Sequence, residues 1–394
     1  MVCSATRSSK ASASSLPNVK PTVLLSVVFL ACTARGADTG AIPPADLAGQ
    51  VAAIDSAIEH HRERLRVPGA AVALVRHDSL LLSKGYGLRD KAAGLPVTPR
   101  TLFAIGSCTK PFTALASMIS ADSGLLTLND PPTRFLPYFQ LRDAAANQQV
   151  TLRDLLSNRT GVPDDLAAGW YEKYGTRERL IRAAMQAKPK GKFREAFNYN
   201  NYMFLAAGEA IAVAHGTSYE NVIARTIFEP LGMRHSSLSL DSMEASSDFA
   251  YGYEDEGRTR VAPKRLIYNT AMAPAANINS NAEDMAQWIR LLANGGMFDG
   301  KRLVSDSAFK EMLTPAVRTG GGHYALGWFV EDWHGLRLYS HPGGVAGYGT
   351  RCEFLPDQRL GWVVLTNVDD QQLPKAIREA IYANLLPNSD NRAR

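Results

Sequence analysis

The spacing of apolar residues changes twice along this chain. Residues Asp46 to Leu65 carry apolar positions at helical intervals, which predicts an amphipathic helix. Ala70 to Arg76 and Leu80 to Tyr86 then read as two strands joined by a turn at His77-Asp78. Pro111-Phe112-Thr113-Ala114-Leu115-Ala116 reads as a buried helix that ends near Ser123-Gly124. From there to about Asn294 the pattern is helices and loops, among them Thr151 to Leu156, Tyr202 to Ala214, Tyr219 to Phe228 and Ala282 to Leu292. Strand signals return at Tyr324 to Glu331, Leu336 to Ser340, Tyr348 to Leu355 and Gly361 to Asn367, before a final helix from Pro374 to Leu386. Strands at both ends of a helical middle predict an α/β lobe (46–115 and 300–386) interrupted by a mainly helical lobe (116–295), with a polar tail at 387–394.

Composition narrows the function classes. The 394 residues are 45% hydrophobic and 21% charged, ordinary globular material with room for a large core. The net charge of +5 gathers into no long basic block, so no nucleic-acid partner is expected. Residues 1–37 form a separate segment: no acid precedes Asp38, Arg7, Lys10 and Lys20 are basic, and Val23 to Cys32 is apolar but too short to span a bilayer. Small residues follow at Ala34, Gly36 and Ala37, the pattern of a secretory leader, and the expected location is periplasmic or secreted. Two other readings stay open, an organelle transit peptide and a lipoprotein signal with Cys32 as the lipid anchor. No membrane-spanning segment is expected.

Beyond that leader only Cys108 and Cys352 remain, too few for a disulfide framework. Cys108 reads as a packed structural thiol. Neither a Cys/His cluster nor a His-Glu-x-x-His helix is present, and no dinucleotide or phosphate-loop glycine pattern occurs, so no metal or cofactor is expected. His60 and His61 are adjacent on the first predicted helix and point in different directions, as surface residues do.

Ser107-Cys108-Thr109-Lys110 is the stretch with chemistry in it. The spacing places a hydroxyl and an amine one helical turn apart on one face. A free serine is a poor nucleophile that a nearby amine can activate as base. A helix start offers unpaired backbone N–H groups for an oxyanion, and its positive end together with desolvation disfavours a charged Lys110. Ser307-Ala308-Phe309-Lys310 matches the same spacing, but Val304-Ser305-Asp306-Ser307 reads as a capped helix start on the surface.

Two downstream motifs separate the matches. Tyr199, in Phe197-Asn198-Tyr199-Asn200-Asn201-Tyr202, stands just ahead of a helix; near a cationic lysine its hydroxyl would give up a proton more readily and could relay it. His341-Pro342-Gly343-Gly344 reads as a turn before the strand at Tyr348, its glycines open to close approach by a substrate.

Taken in order, the three motifs resemble the serine β-lactamase and penicillin-binding-protein superfamily, specifically its class C-like branch of peptidase S12 and family VIII esterase type. Supporting stretches are Thr151 to Gly161, Pro230-Leu231-Gly232-Met233, Ala325-Leu326-Gly327-Trp328 and Leu365-Thr366-Asn367, so the likeness covers roughly Ala52 to Leu386. The resemblance implies an antiparallel sheet flanked by helices with an inserted helical lobe. It implies Ser107 as acylated nucleophile, Lys110 as general base, Tyr199 as proton relay and His341 as a further catalytic residue. Asn201 would orient substrate or Lys110, and Gly343 and Gly344 would shape the oxyanion hole, with N–H donors from Ser107 and Gly344. His341 stands where β-lactamases usually have lysine, which removes a cation for a substrate carboxylate, and Asn158 stands where relatives often have histidine. The expectation is an exported serine hydrolase acting on an amide or ester bond of a small-molecule or peptide substrate. A fold-only binding or scaffold protein is the other reading, and it has no need of the full Ser, Lys, Tyr and His set.

Overall fold

Gly69–Arg76 explains why an alternating strand pattern is hard to see in this sequence. Ala70, Val72 and Leu74 enter one apolar cluster with Ile54, Ile58, Trp362, Ile377 and Ile381. Ala71, Ala73 and Val75 enter the other, with Phe112, Trp288 and Ile289. A strand buried on both faces reads as a continuous apolar run.

In this computed structural model the chain is described over residues 44–164, 175–254, 259–261, 270–369 and 371–386. The expected leader, with Cys32, and the polar tail lie outside the described residues. The main sheet contains nine strands, numbered here along the chain: β1 (Gly69–Arg76), β2 (Ser79–Asp90), β3 (Leu95–Pro96), β4 (Val317–Thr319), β5 (Gly322–Tyr324), β6 (Phe329–Trp333), β7 (Leu336–Val345), β8 (Tyr348–Leu355) and β9 (Leu360–Thr366). Their spatial order is β4-β5-β6-β7-β8-β9-β1-β2-β3, and every neighbouring pair is antiparallel. The first strands of the chain thus pair with the last, with Val72 opposite Val364. Asn367 seals that seam, accepting from the Gly69 amide at 2.6 Å and donating to the Leu88 carbonyl at 3.0 Å.

Helices α1 (Pro44–Arg64) and α6 (Gln372–Leu385) cover one sheet face. The other face meets α5 (Ala282–Ala293) and, beyond it, α2 (Lys110–Asp122), α3 (Leu152–Leu156) and α4 (Asn201–His215). The helical middle therefore packs against the inner face of a sheet made from both chain ends.

Two expected strand boundaries change. The single strand expected from Tyr324 to Glu331 is two, β5 and β6, because Ala325–Trp328 turns inward with Gly327 in the left-handed region and against the Lys110 carbonyl. The His341-Pro342-Gly343-Gly344 segment is no turn but the upper part of β7, paired His341 to Cys352 and Gly343 to Thr350; the turn falls at Ala346-Gly347. Proline and glycine are poor strand formers, which hides this stretch from a propensity reading.

Candidate active site

Ser107 sits in a short 3₁₀ turn, Gly106–Thr109, that runs directly into α2. Ile105 anchors the turn by donating to the Ile278 carbonyl at 3.0 Å. Gly106 has φ +52°, and a Cβ there would lie 2.9 Å from the Gly344 nitrogen. Only glycine lets the serine turn and β7 meet this closely. Ser107 is partly exposed between buried neighbours.

Lys110 is fully buried. Its Nζ donates to Ser107 Oγ at 3.0 Å, to Asn201 Oδ1 at 2.6 Å and to the Ala275 carbonyl at 3.0 Å. Burial pushes its ammonium down to about 7, against the opposing pull of Asp164, so neutral and charged forms coexist near neutrality. Asn201 is itself held by Asp164, which accepts from its amide side chain at 2.7 Å and its backbone N–H at 3.0 Å. An ordered line, Asp164 to Asn201 to Lys110 to Ser107, results.

Tyr199 lies over this line, its ring centre 4.7 Å from Lys110 Nζ and its hydroxyl beside Ser107. The expectation that it loses its proton readily does not hold. Burial raises its pKa well above the ordinary phenol value, and the adjacent Ser107 hydroxyl only partly offsets this. The hydroxyl stays protonated near neutral pH. Asn200 caps α4, accepting from the Tyr202 and Met203 amides at 2.8 and 3.2 Å, which fixes where Tyr199 enters the site.

His341 is also fully buried. Its Nδ1 lies 2.7 Å from the Pro342 carbonyl and its Nε2 3.2 Å from the Tyr324 hydroxyl. That pattern assigns the proton to Nδ1 and leaves Nε2 accepting from Tyr324. Burial, with Lys110 nearby, pushes its pKa down to about 3, so it is neutral at physiological pH. The ring centre is 6.2 Å from that of Tyr199, and both ring nitrogens are engaged inside β7 and β5 rather than with Ser107. Its position is that of a support for β7. Gly343 faces Ile105, whose carbonyl oxygen would be 2.0 Å from any Cβ, and Gly344 is exposed beside the serine turn.

The structure therefore brings Ser107, Lys110, Tyr199, Asn201, Gly343 and Gly344 together, with His341 immediately behind. The second Ser-x-x-Lys does not share this environment: Ser305 caps its helix and Ser307 and Lys310 are exposed. Cys108 is a buried free thiol that donates to the His341 carbonyl at 3.1 Å, and burial pushes its pKa up to about 12. It is a packed thiol beside the nucleophile, as expected.

Sequence reasoning missed Asp164, Tyr324 and the Ala275 carbonyl. Asp164 is 37 residues from the Asn201 it holds, and nothing local marks it. Tyr324 adjoins Ala325-Leu326-Gly327-Trp328, so a signal lay next to it. Among the described residues no group of three or more His, Cys, Asp or Glu side chains gathers as a metal site, and no helix is long and apolar enough to cross a membrane.

Known proteins share this arrangement of chain. The Beta-lactamase family model matches residues 54–384. Protein flp of Staphylococcus aureus (strain MRSA252) is 30% identical over 327 residues, 82% of this chain and 64% of that protein. Unguisins hydrolase ungD of Aspergillus violaceofuscus is 28% identical over 332 residues, 77% of this chain and 58% of that one. The chain thus spans less than two thirds of the length of these curated relatives. The octameric penicillin-binding protein homologue from Pyrococcus abyssi superposes with a TM-score of 0.75 at 27% identity, covering 86% of this chain and 78% of that one. A class C beta lactamase from Rhodobacter sphaeroides shares the fold, with a TM-score of 0.70 at 21% identity over 85% of this chain and 99% of that one.

Proposed function

Because the chain belongs to the Beta-lactamase family, we propose that it is a serine hydrolase working through an acyl-enzyme on an ester or amide bond. One observation carries the reading: a fully buried lysine, part of it uncharged near pH 7, lies 3.0 Å from a partly exposed serine hydroxyl. Lys110 takes the Ser107 proton as Oγ attacks the substrate carbonyl, and the oxyanion is held by the Ser107 and Gly344 N–H groups. Tyr199, still protonated, donates to the leaving group and recovers its proton from Lys110. Water then attacks the ester to Ser107, and the same groups return the proton to Oγ.

His341 is neutral and turned inward, so it offers no cation to a substrate carboxylate. This favours peptidase- or esterase-like turnover over efficient β-lactam hydrolysis. That one relative is named as a hydrolase supports the class of reaction. Export is part of the reading and rests on the leader pattern alone.

The test is a panel of p-nitrophenyl esters, D-amino-acid amides and nitrocefin with the purified mature protein. Turnover of an ester or amide is expected, together with covalent labelling by an acylating probe. Ser107→Ala should abolish both. Labelling that survives, or that moves to Ser307, sinks the assignment.

A further inference from the structure

Asn158 occupies a buried position in the left-handed region, with φ +54°, just after α3. Both of its polar ends reach the Tyr199 segment. Its backbone carbonyl accepts from the Asn198 N–H at 2.9 Å, and its side-chain Oδ1 accepts from the Asn200 N–H at 3.1 Å. The two amides flanking Tyr199 are therefore held by one residue. The neighbouring chain continues the grip, since Asn200 donates to the Val162 and Pro163 carbonyls at 3.0 and 2.9 Å.

The third polar group of Asn158 points elsewhere. With Oδ1 committed to Asn200, the amide nitrogen faces the Tyr324 hydroxyl, although it makes no hydrogen bond of good geometry among the described residues. Tyr324 donates to His341 Nε2, and His341 Nδ1–H donates to the Pro342 carbonyl. These two donors run one way, from Tyr324 through His341 into β7. A left-handed asparagine costs less than other side chains would, yet it still carries strain, and a buried amide needs its partners.

We propose that Asn158 is a positioning residue of this hydrolase, holding Tyr199 beside Ser107 through the two backbone amides that flank it. The proposal rests on Tyr199 acting as the proton donor described above.

A double-mutant cycle tests it, read as the burst of ethanol release from an ethyl ester, whose alkoxide must be protonated to leave, on the full-length protein, with thermal melting in parallel. Asn158→Gly keeps the left-handed backbone and deletes Oδ1. Its burst rate should fall on the order of 10- to 100-fold, the cost of a misplaced catalytic group. Asn158→Asp retains the acceptor for Asn200 and should recover part of that loss. In a Tyr199→Phe background, Asn158→Gly should cost nothing further. Should glycine give no folded protein, Asn158→Ser enters the same cycle, with the same outcomes read. Equal losses in both backgrounds, or a wild-type rate for Asn158→Gly, would overturn the proposal and leave the hydrolase reading standing. A Tyr199→Phe enzyme at the wild-type rate overturns the relay and the proposal together. A burst that persists in Ser107→Ala defeats the hydrolase reading itself.

Discussion

At the residue scale, the site depends on groups whose charge is set by burial. Lys110 must be neutral to accept the Ser107 proton, and burial places its pKa at about 7. His341, at about 3, and Tyr199, raised above its ordinary value, do not change state between pH 5 and 9. The rate of acylation should therefore rise with pH through a single step centred near 7 and stay level above it. A pH profile of kcat/KM with an ester whose hydrolysis is otherwise pH-independent checks this; a rate that falls across that step contradicts the assignment of Lys110 as base. Gly343 carries a second prediction. A Cβ there would sit 2.0 Å from the Ile105 carbonyl, so Gly343→Ala must push β7 from the serine turn. Loss of one oxyanion donor costs roughly 100- to 1,000-fold in kcat, and a loss of that order is expected here with little change in KM. Ser107 and Lys110 stand out in the sequence by their local spacing, whereas Tyr199 and the glycines were picked out only by the ordered set of motifs and the family resemblance it carries. The sequence reading of Tyr199 as a ready proton loser failed for a physical reason, since it counted the neighbouring lysine and left out the burial.

At the element scale, the small helix α3 supports the site without touching it. Thr151 and Asp154 form a capping box at its start, and the Asp154 carboxylate, fully buried, binds Arg159 at 2.6 Å and Arg194 at 2.8 Å. Burial works against its ionisation, but Arg194 and Arg159 outweigh it and hold the carboxyl below the usual range. Because the folded-state pKa is depressed, this contribution to stability is present at neutral pH and is lost as pH falls through the acid range. Asp154→Ala leaves Arg159 and the partly exposed Arg194 without their buried partner and should cost about 1–3 kcal/mol in urea denaturation at pH 7. The penalty should shrink when the melt is repeated near pH 3. Arg194 and Arg159 flank the loops that carry Tyr199 and Asn158, so activity should fall along with stability. The sequence marked Thr151 to Gly161 only as a family-like stretch; its capping box, and the Arg194 that binds Asp154 from 40 positions away, are facts of the tertiary structure.

At the scale of the whole molecule, the two chain ends make one sheet. β1 is paired on one side with β2 and on the other with β9, and α1 and α6 share the apolar layer that covers them. Removing residues 372–394 would uncover Trp362, Val364, Ala70 and Val72, which pack against Leu373, Ile377 and Ile381. A chain truncated after Gln371 should fail to give soluble, cooperatively melting protein, measured by size-exclusion chromatography and circular dichroism. Soluble protein with a wild-type melt would show that α6 is dispensable for the core.

The sequence by itself determined the α/β class, with strands at both ends of a helical middle, and the Ser-x-x-Lys spacing, because periodicity and reactive side chains one helical turn apart are local properties; the ordered motifs added the family resemblance. It could not show that the His341 segment is a strand, since pairing with β8 overrides the poor propensity of proline and glycine. Nor could it find Asp164 behind Asn201, or Asn158 on both sides of Tyr199, because those contacts join residues about 40 positions apart whose types are common everywhere. The sequence anticipated an uncharged Lys110, but tertiary structure decided how far burial shifts each group: a lysine near neutrality, a phenol that keeps its proton and a neutral imidazole all follow from removal of water, which is settled only when distant segments close over the site.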